Sequence, residues 1–328
     1  MMDSNTLIDA YTNITNIFIS LRYTRKTGKN RKRNRKNEGA SQCGNKKIQK
    51  KVHTSKVVKW EDQQSMCQNY EQSIQGISCL MKDLNEKQIK KINDFTKGFT
   101  STDDDSDDTC LRHYNETISK KGFLSLTKGE WLQDDVLNFY AKLLEDRDNI
   151  LLKSGLKRKR SIFMNTCYDV FLNGKQNVNS YIENKVSKNG LKNIFNASKM
   201  FVPINYINVH WMLVTVDIEN EVIEGYNSIS NEKHYSKYLN NMMHLIYNHL
   251  DTMYEDMNNS CLPQSWRIVD RSKKIPQQKN GSDCGVFVLA FIDFLSVGDE
   301  WDFDPKEENT TKFRKRLQLS IINKNCLM

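Results

Sequence analysis

The chain has 328 residues, room for two average domains or one large domain with an extension, and 38% of its residues are hydrophobic. Its net charge of +9 sits at the start: residues 1–60 carry 15 Lys/Arg, Arg22 through Lys59, against Asp3, Asp9 and Glu38, so the remainder is slightly acidic at about −3. Eight cysteines with no CxxC pair and no Cys/His cluster exclude a zinc site and a disulfide framework, and no apolar run approaches membrane-spanning length.

A soluble protein of a reducing compartment, with free thiols and no membrane partner, is therefore expected. The stretch "RKTGKNRKRNRKNEGASQCGNKKIQKK" (25–51) has no apolar periodicity and almost no aromatic residues. Residues 1–80 read as a basic, disordered extension. Its exposed Lys/Arg clusters fit a nuclear-import signal, with an import receptor as partner of residues 22–59. Without aromatics to stack on bases, specific nucleic-acid recognition is not expected.

Helical spacing begins at "LNEKQIKKINDFTKG" (84–98), with Leu84, Ile89, Ile92 and Phe95 on one side. The acidic run "DDDSDD" (103–108), which contains Ser106, reads as a solvated loop. "WLQDDVLNFYAKLLE" (131–145) carries the broad apolar stripe of a core-facing helix. In "KMFVPINYINVHWMLVTVDIENEVIEGYNS" (199–228), the runs 201–204, 211–216 and 222–226 are predicted strands, with a turn at 218–221. Helical periodicity resumes at 238–254 and again at 284–295. This order of elements predicts an α+β domain over residues 81–328.

The chemistry centres on "KNGSDCGVFVLAFI" (279–292). Cys284 is either a nucleophile or a buried core thiol. Gly281, Ser282 and Gly285 would permit a tight turn ahead of a helix starting near Cys284, where free N–H groups and the dipole lower a thiol's pKa. Gln278, six residues upstream, could offer its side-chain amide to an oxyanion. His210 enters a buried strand. Asp217, seven positions on, falls on the opposite face and is a poor partner for it. Folding the strands about 218–221 brings Asn227 beside His210, where its amide oxygen would accept Nδ1–H and turn Nε2 toward the thiol.

With these residues in place, the chain resembles the SUMO-specific (sentrin-specific) cysteine proteases of the ubiquitin-like-protease family. "WLQDDVLNFYAKLL", the 201–228 strands and "QQKNGSDCGVFVLAFIDFL" follow one another in the family's order, and weaker similarity runs from about residue 82 to "KFRKRLQLSI". The resemblance implies a papain-like fold: a central mixed sheet flanked by helices, with the nucleophile at a helix N-terminus. It implies Cys284 as nucleophile, His210 as base and Gln278 in the oxyanion hole. It also implies that Trp131 and Trp211 roof a tunnel for a Gly-Gly tail, which only glycine is thin enough to thread.

Asp134 matches an acid that contacts a basic residue of the modifier, and Gly281 and Ser282 are grouped with the substrate-binding positions. The implied activity is cleavage after the Gly-Gly of a SUMO-like modifier, in precursors and in conjugates, by a nuclear monomer with no cofactor. A NEDD8-cleaving enzyme of the same fold is the nearest rival. Two departures stand out: Gln133 replaces the family's Asn, and Asn227 replaces its Asp, which also raises the alternative of a weak, modifier-binding pseudo-protease.

Overall fold

The computed structural model describes residues 83–99, 109–153, 155, 159–168, 178–297 and 306–326. The basic extension (1–80) and the acidic run (103–108) lie outside the described residues. The chain opens with helix α1 (Glu86–Lys97), started by a reciprocal cap in which Asn85 and Gln88 each bond the other's backbone amide at 2.9 Å. A hairpin, β1 (Thr109–His113) and β2 (Glu116–Ser119), and the short α2 (Lys120–Leu124) follow. Next come the long α3 (Asp134–Lys153), β3 (Ile162–Phe163) and α4 (Val178–Lys188).

Strands β4 (Lys199–Tyr206), β5 (His210–Asp217) and β6 (Val222–Tyr226) lead into α5 (Lys233–Asn258) and β7 (Arg267–Asp270). Helices α6 (Cys284–Val297) and α7 (Glu307–Asn323) complete the described elements. Among the described residues the main sheet runs β3-β4-β5-β6-β7, antiparallel in the middle and parallel at both edges. It is the expected mixed sheet.

Strand alternation divides the core in two. Phe201, Trp211, Leu213 and Tyr226 face one cluster, built with α3, α6 and α7. Met200, Val202, Ile204, Met212, Val214 and Val216 face the other, built with α4 and α5. Because β5 is buried along its whole length, it reads as an unbroken apolar run rather than an alternating one. Helix α6 is apolar on nearly every side for the same reason: it lies inside the first cluster.

Two local features fix the site's frame. Strands β4 and β5 join through a tight turn in which Ile207 (φ 44°) and Asn208 (φ 61°) are both left-handed, closed by Val209 N–H to Tyr206 O at 2.9 Å. A β-branched residue is strained in that region, yet the turn sets the register that opposes His210 to Tyr206. On the far side of the sheet, α5 packs so close to β6 that a Cβ on Gly225 would lie 2.8 Å from Met243 Sδ. Any larger residue there would have to displace the Met243 and Leu239 side chains.

Candidate active site

Cys284 is the first residue of α6 and is 4% exposed. The turn before it is organised by Asn280, whose Oδ1 accepts from Ser282 N (3.1 Å) and Asp283 N (3.0 Å) while Nδ2 donates to Asp283 Oδ2 (2.8 Å). The glycine expectation needs correcting. Gly281 has no positive φ, and a Cβ there would meet nothing within 4 Å. Ser282 is buried, and its carbonyl accepts from Arg314 Nη2 at 3.0 Å. Gly285 matters for a different reason: a Cβ on it would stand 2.9 Å from Leu132 Cβ, so it lets the 131–132 segment press onto the helix start.

Burial pushes the Cys284 thiol up, and the backbone at Trp211 and Gly285 acts the other way. Asp283 also opposes the thiolate. Its charge is answered by Arg314 of α7, which donates to Asp283 Oδ1 from Nε (3.0 Å) and Nη2 (2.8 Å). The same guanidinium reaches Ser125 O (2.9 Å), Thr127 O (3.1 Å) and Glu130 O (2.8 Å), so it joins the cysteine turn to the segment that leads into Trp131.

His210 is 1% exposed, and the backbone of Trp211, the next residue along β5, lowers the Cys284 thiol. The start of β5 thus lies on the side of the molecule that holds the start of α6. His210 Nε2 lies 2.8 Å from Asn227 Oδ1. The partner is the expected one, but the ring nitrogens are exchanged: Nε2–H serves Asn227, and Nδ1 is left as the basic nitrogen. Leu213 pairs with Tyr226, so Asn227, the residue after β6, comes to the same strand end as His210, and its side chain meets the ring at Nε2.

Asn227 itself is held rigidly. Its Oδ1 also accepts Ile229 N (2.9 Å), its Nδ2 donates to Ile229 O (2.8 Å), and its backbone N donates to Ser272 Oγ (3.1 Å). Gln277 supports the same loop through Ser272 O (2.8 Å) and Ser230 N (2.8 Å). Burial pushes the His210 imidazole down, the Asn227 bond works against that, and His234 adds to the lowering. Asp217, as expected, is elsewhere, paired with Lys199 at 3.1 Å and capping the turn at Asn220.

Gln278 is anchored between two loops. Its Oε1 accepts from Ser228 Oγ (2.6 Å), and its Nε2 donates one hydrogen to Asn280 O (2.6 Å). The tryptophans differ sharply in exposure. Trp131 is 47% exposed, whereas Trp211 is 7% exposed within the core and donates Nε1–H to Leu132 O at 3.0 Å. No ring contact joins the two indoles among the described residues. Asp134, the first residue of α3, is exposed and has no hydrogen-bond or ion-pair partner among the described residues.

Sequence reasoning missed Arg314, Asn280, Gln277 and Ser272. A buried arginine inside "KFRKRLQLSI" gives no signal of its own, because each neighbouring Lys or Arg looks equally solvated.

Comparison with known proteins addresses the family and the fold. Residues 130–325 match the Ulp1 protease family, C-terminal catalytic domain. Human Sentrin-specific protease 5 is 29% identical over 205 residues, covering 62% of this chain and 24% of that protein. Ubiquitin-like-specific protease 1A of Arabidopsis thaliana is 28% identical over 218 residues, covering 65% and 41%. The chain thus spans about a quarter to two fifths of the length of these relatives. In three dimensions it superposes on the SUMO protease Ulp1 with a TM-score of 0.57 at 20% identity, over 75% of this chain and 98% of that one. The Ulp1-like SUMO protease catalytic domain of Chaetomium thermophilum gives a TM-score of 0.58 at 16% identity, over 75% and 92%. The solved fold is therefore shared.

Proposed function

The chain belongs to the Ulp1 protease family, and on that premise we propose that it is a cysteine isopeptidase cleaving after the C-terminal Gly-Gly of a SUMO-like modifier. One observation carries the reading. Cys284 opens a helix with the Trp211 backbone lowering its thiol, and the residue before Trp211 is a buried histidine bonded to Asn227. One fold neighbour, the C-terminal Ulp1 protease domain, was solved in complex with Smt3, the yeast orthologue of SUMO, which supports the choice of modifier class.

The residues supply each step. Burial alone holds thiol and imidazole neutral, so the proton moves from Cys284 to His210 Nδ1 as a pair, replacing two isolated ions by one ion pair. The thiolate attacks the terminal glycine carbonyl and forms a C–S bond. The oxyanion is met by the N–H groups at the start of α6 and by the second Nε2 hydrogen of Gln278. His210 returns its proton to the leaving lysine amine as the C–N bond breaks. It then takes a proton from water, whose oxygen attacks the thioester and releases the free thiol.

The exposed Trp131, whose neighbour Leu132 accepts from Trp211 Nε1, fits a roof over the thin tail, and the partnerless Asp134 fits a contact with a basic residue of the modifier. Residues 22–59 would carry the protein to the nucleus. Deleting 1–80 tests that separately: turnover in vitro should persist while nuclear enrichment is lost.

The catalytic reading is tested with SUMO carrying a C-terminal electrophile. A covalent adduct that disappears in Cys284→Ala is expected. Binding without an adduct would replace the enzyme by a modifier-binding protein, and an adduct formed only with a NEDD8 probe would move the substrate to that rival.

A further inference from the structure

Asn227 orients His210 but carries no charge, so it gives an imidazolium less than a carboxylate would. The structure places another group against the same ring. Tyr235, in the first turn of α5, stacks on His210 with ring centroids 4.1 Å apart and planes at 27°. It is itself held edge-on by Tyr206, at 5.5 Å and 79°. Tyr206 in turn packs against Tyr238, at 5.0 Å and 73°. This support comes from β4 and α5 together, so the phenol is fixed over the imidazole by two separate elements.

We infer that Tyr235 is a positioning residue whose ring face stabilises the imidazolium form of His210, taking over charge stabilisation that Asn227 does not supply. An aromatic face within about 6 Å attracts a cation through its quadrupole and does little for the neutral ring, and the effect strengthens where water is excluded. It therefore favours the thiolate–imidazolium pair over its neutral precursor, which lowers a barrier rather than tightening binding. The tyrosine also feels the cysteine: burial, then Cys284, pushes its phenol up, as expected for a ring that borders both members of the pair.

The titratable groups around His210 are few. Tyr206 pairs with it from β4, and Cys284 of α6 acts on Tyr235, with Asp283 beside the cysteine held by Arg314. Tyr235 and His234 come from α5, and Glu232 lies 3.8 Å from His234. The proposal rests on the isopeptidase reading, and its test keeps the two separable.

The experiment compares wild type, Tyr235→Phe and Tyr235→Leu by the pH profile of Cys284 alkylation with iodoacetamide. Phenylalanine keeps the ring face, whereas leucine keeps apolar bulk only. Tyr235→Phe should keep both limbs of the profile. Tyr235→Leu should raise the acid limb and lower the alkaline limb by about one pH unit in total. In a Cys284→Ala background, the NMR titration midpoint of the His210 ring should fall in the leucine variant alone.

Identical limbs in all three proteins would overturn the inference, as would phenylalanine behaving like leucine, which would assign the effect to the hydroxyl. A wild-type thiol without an enhanced reactivity window would overturn the isopeptidase reading, and this inference with it.

Discussion

Helix α6 carries two buried sites built from the same inventory and suited to opposite ends. At its start, Cys284 (4% exposed) adjoins the ion pair Asp283–Arg314. Deeper in the core, Cys326 (3% exposed) feels the charges of Arg147 and Asp293, a pair that also holds Tyr140 (2.6 Å to Asp293) and Ser296 (2.8 Å to Arg147). Burial is the first cause raising both thiols. What separates them is their place in the chain. Cys284 opens a helix, where the Trp211 and Gly285 backbone lowers its thiol, whereas Cys326 donates to Leu143 O at 3.2 Å, and burial pushes it up to about 12 although Arg147 works against that. A buried cysteine beside a buried arginine is not made a nucleophile by that arginine alone.

The largest effect tests that contrast directly. Cys284→Ala should lose all measurable turnover of a SUMO–peptide fusion, and Cys326→Ala should keep wild-type turnover. Mass spectrometry after brief alkylation at neutral pH should find label on Cys284 and none on Cys326. Label on Cys326 at a comparable rate would dissolve the distinction.

The arginines come next. Arg314→Met and Arg147→Met each leave a buried carboxylate without its partner, and each should lose about 3–5 kcal/mol in urea unfolding. Only Arg314→Met should also slow Cys284 alkylation, since it alone bares the carboxylate beside the sulfur. Arg314→Met combined with Asp283→Asn should recover much of that rate.

Trp131→Ala sharpens the same comparison at the surface. It should lower kcat/KM on a Gly-Gly-tailed modifier by about 10²-fold through misplacement of the scissile bond, with thiol alkylation unchanged. Trp211 is not an equivalent probe, because removing a core indole bonded to Leu132 O would disturb packing as well.

The smallest effect is alkaline. The Cys326 thiol, raised from 9.0 to about 12, stays protonated in the folded protein where the unfolded chain has already lost its proton. Stability from this group is complete below pH 9.0 and declines as pH rises toward about 12. Thermal melts of Cys326→Ala should therefore fall less steeply over that window than wild type.

Much of the site could be read from spacing because strand parity is local geometry. The turn at 218–221 was enough to exclude Asp217 and to bring Asn227 to His210. The choice of ring nitrogen was not readable, since it depends on side-chain geometry that strand pairing alone does not set. Gly285 looked like a turn residue but serves close packing against Leu132, a contact with a residue 153 positions away. The edge strand β7 and the hairpin β1–β2 carry half-exposed, mixed sequences with no clear alternation. Tyr235 sits in a stretch whose aromatic residues suit an ordinary helix stripe equally well. Arg314 was invisible because hydropathy assigns arginine to solvent, and its six bonds exist only in the assembled fold.

Arg314 also follows, in the chain, every group it binds: it is 189 residues from Ser125, 184 from Glu130 and 31 from Asp283. During synthesis the cysteine, the histidine and Asn227 all leave the ribosome before the guanidinium does. At about 5–20 residues per second that interval lasts on the order of a few seconds. Throughout it, the turn that carries Cys284 lacks the guanidinium that ties it to the 125–130 segment, so the geometry around the cysteine is completed last, by α7.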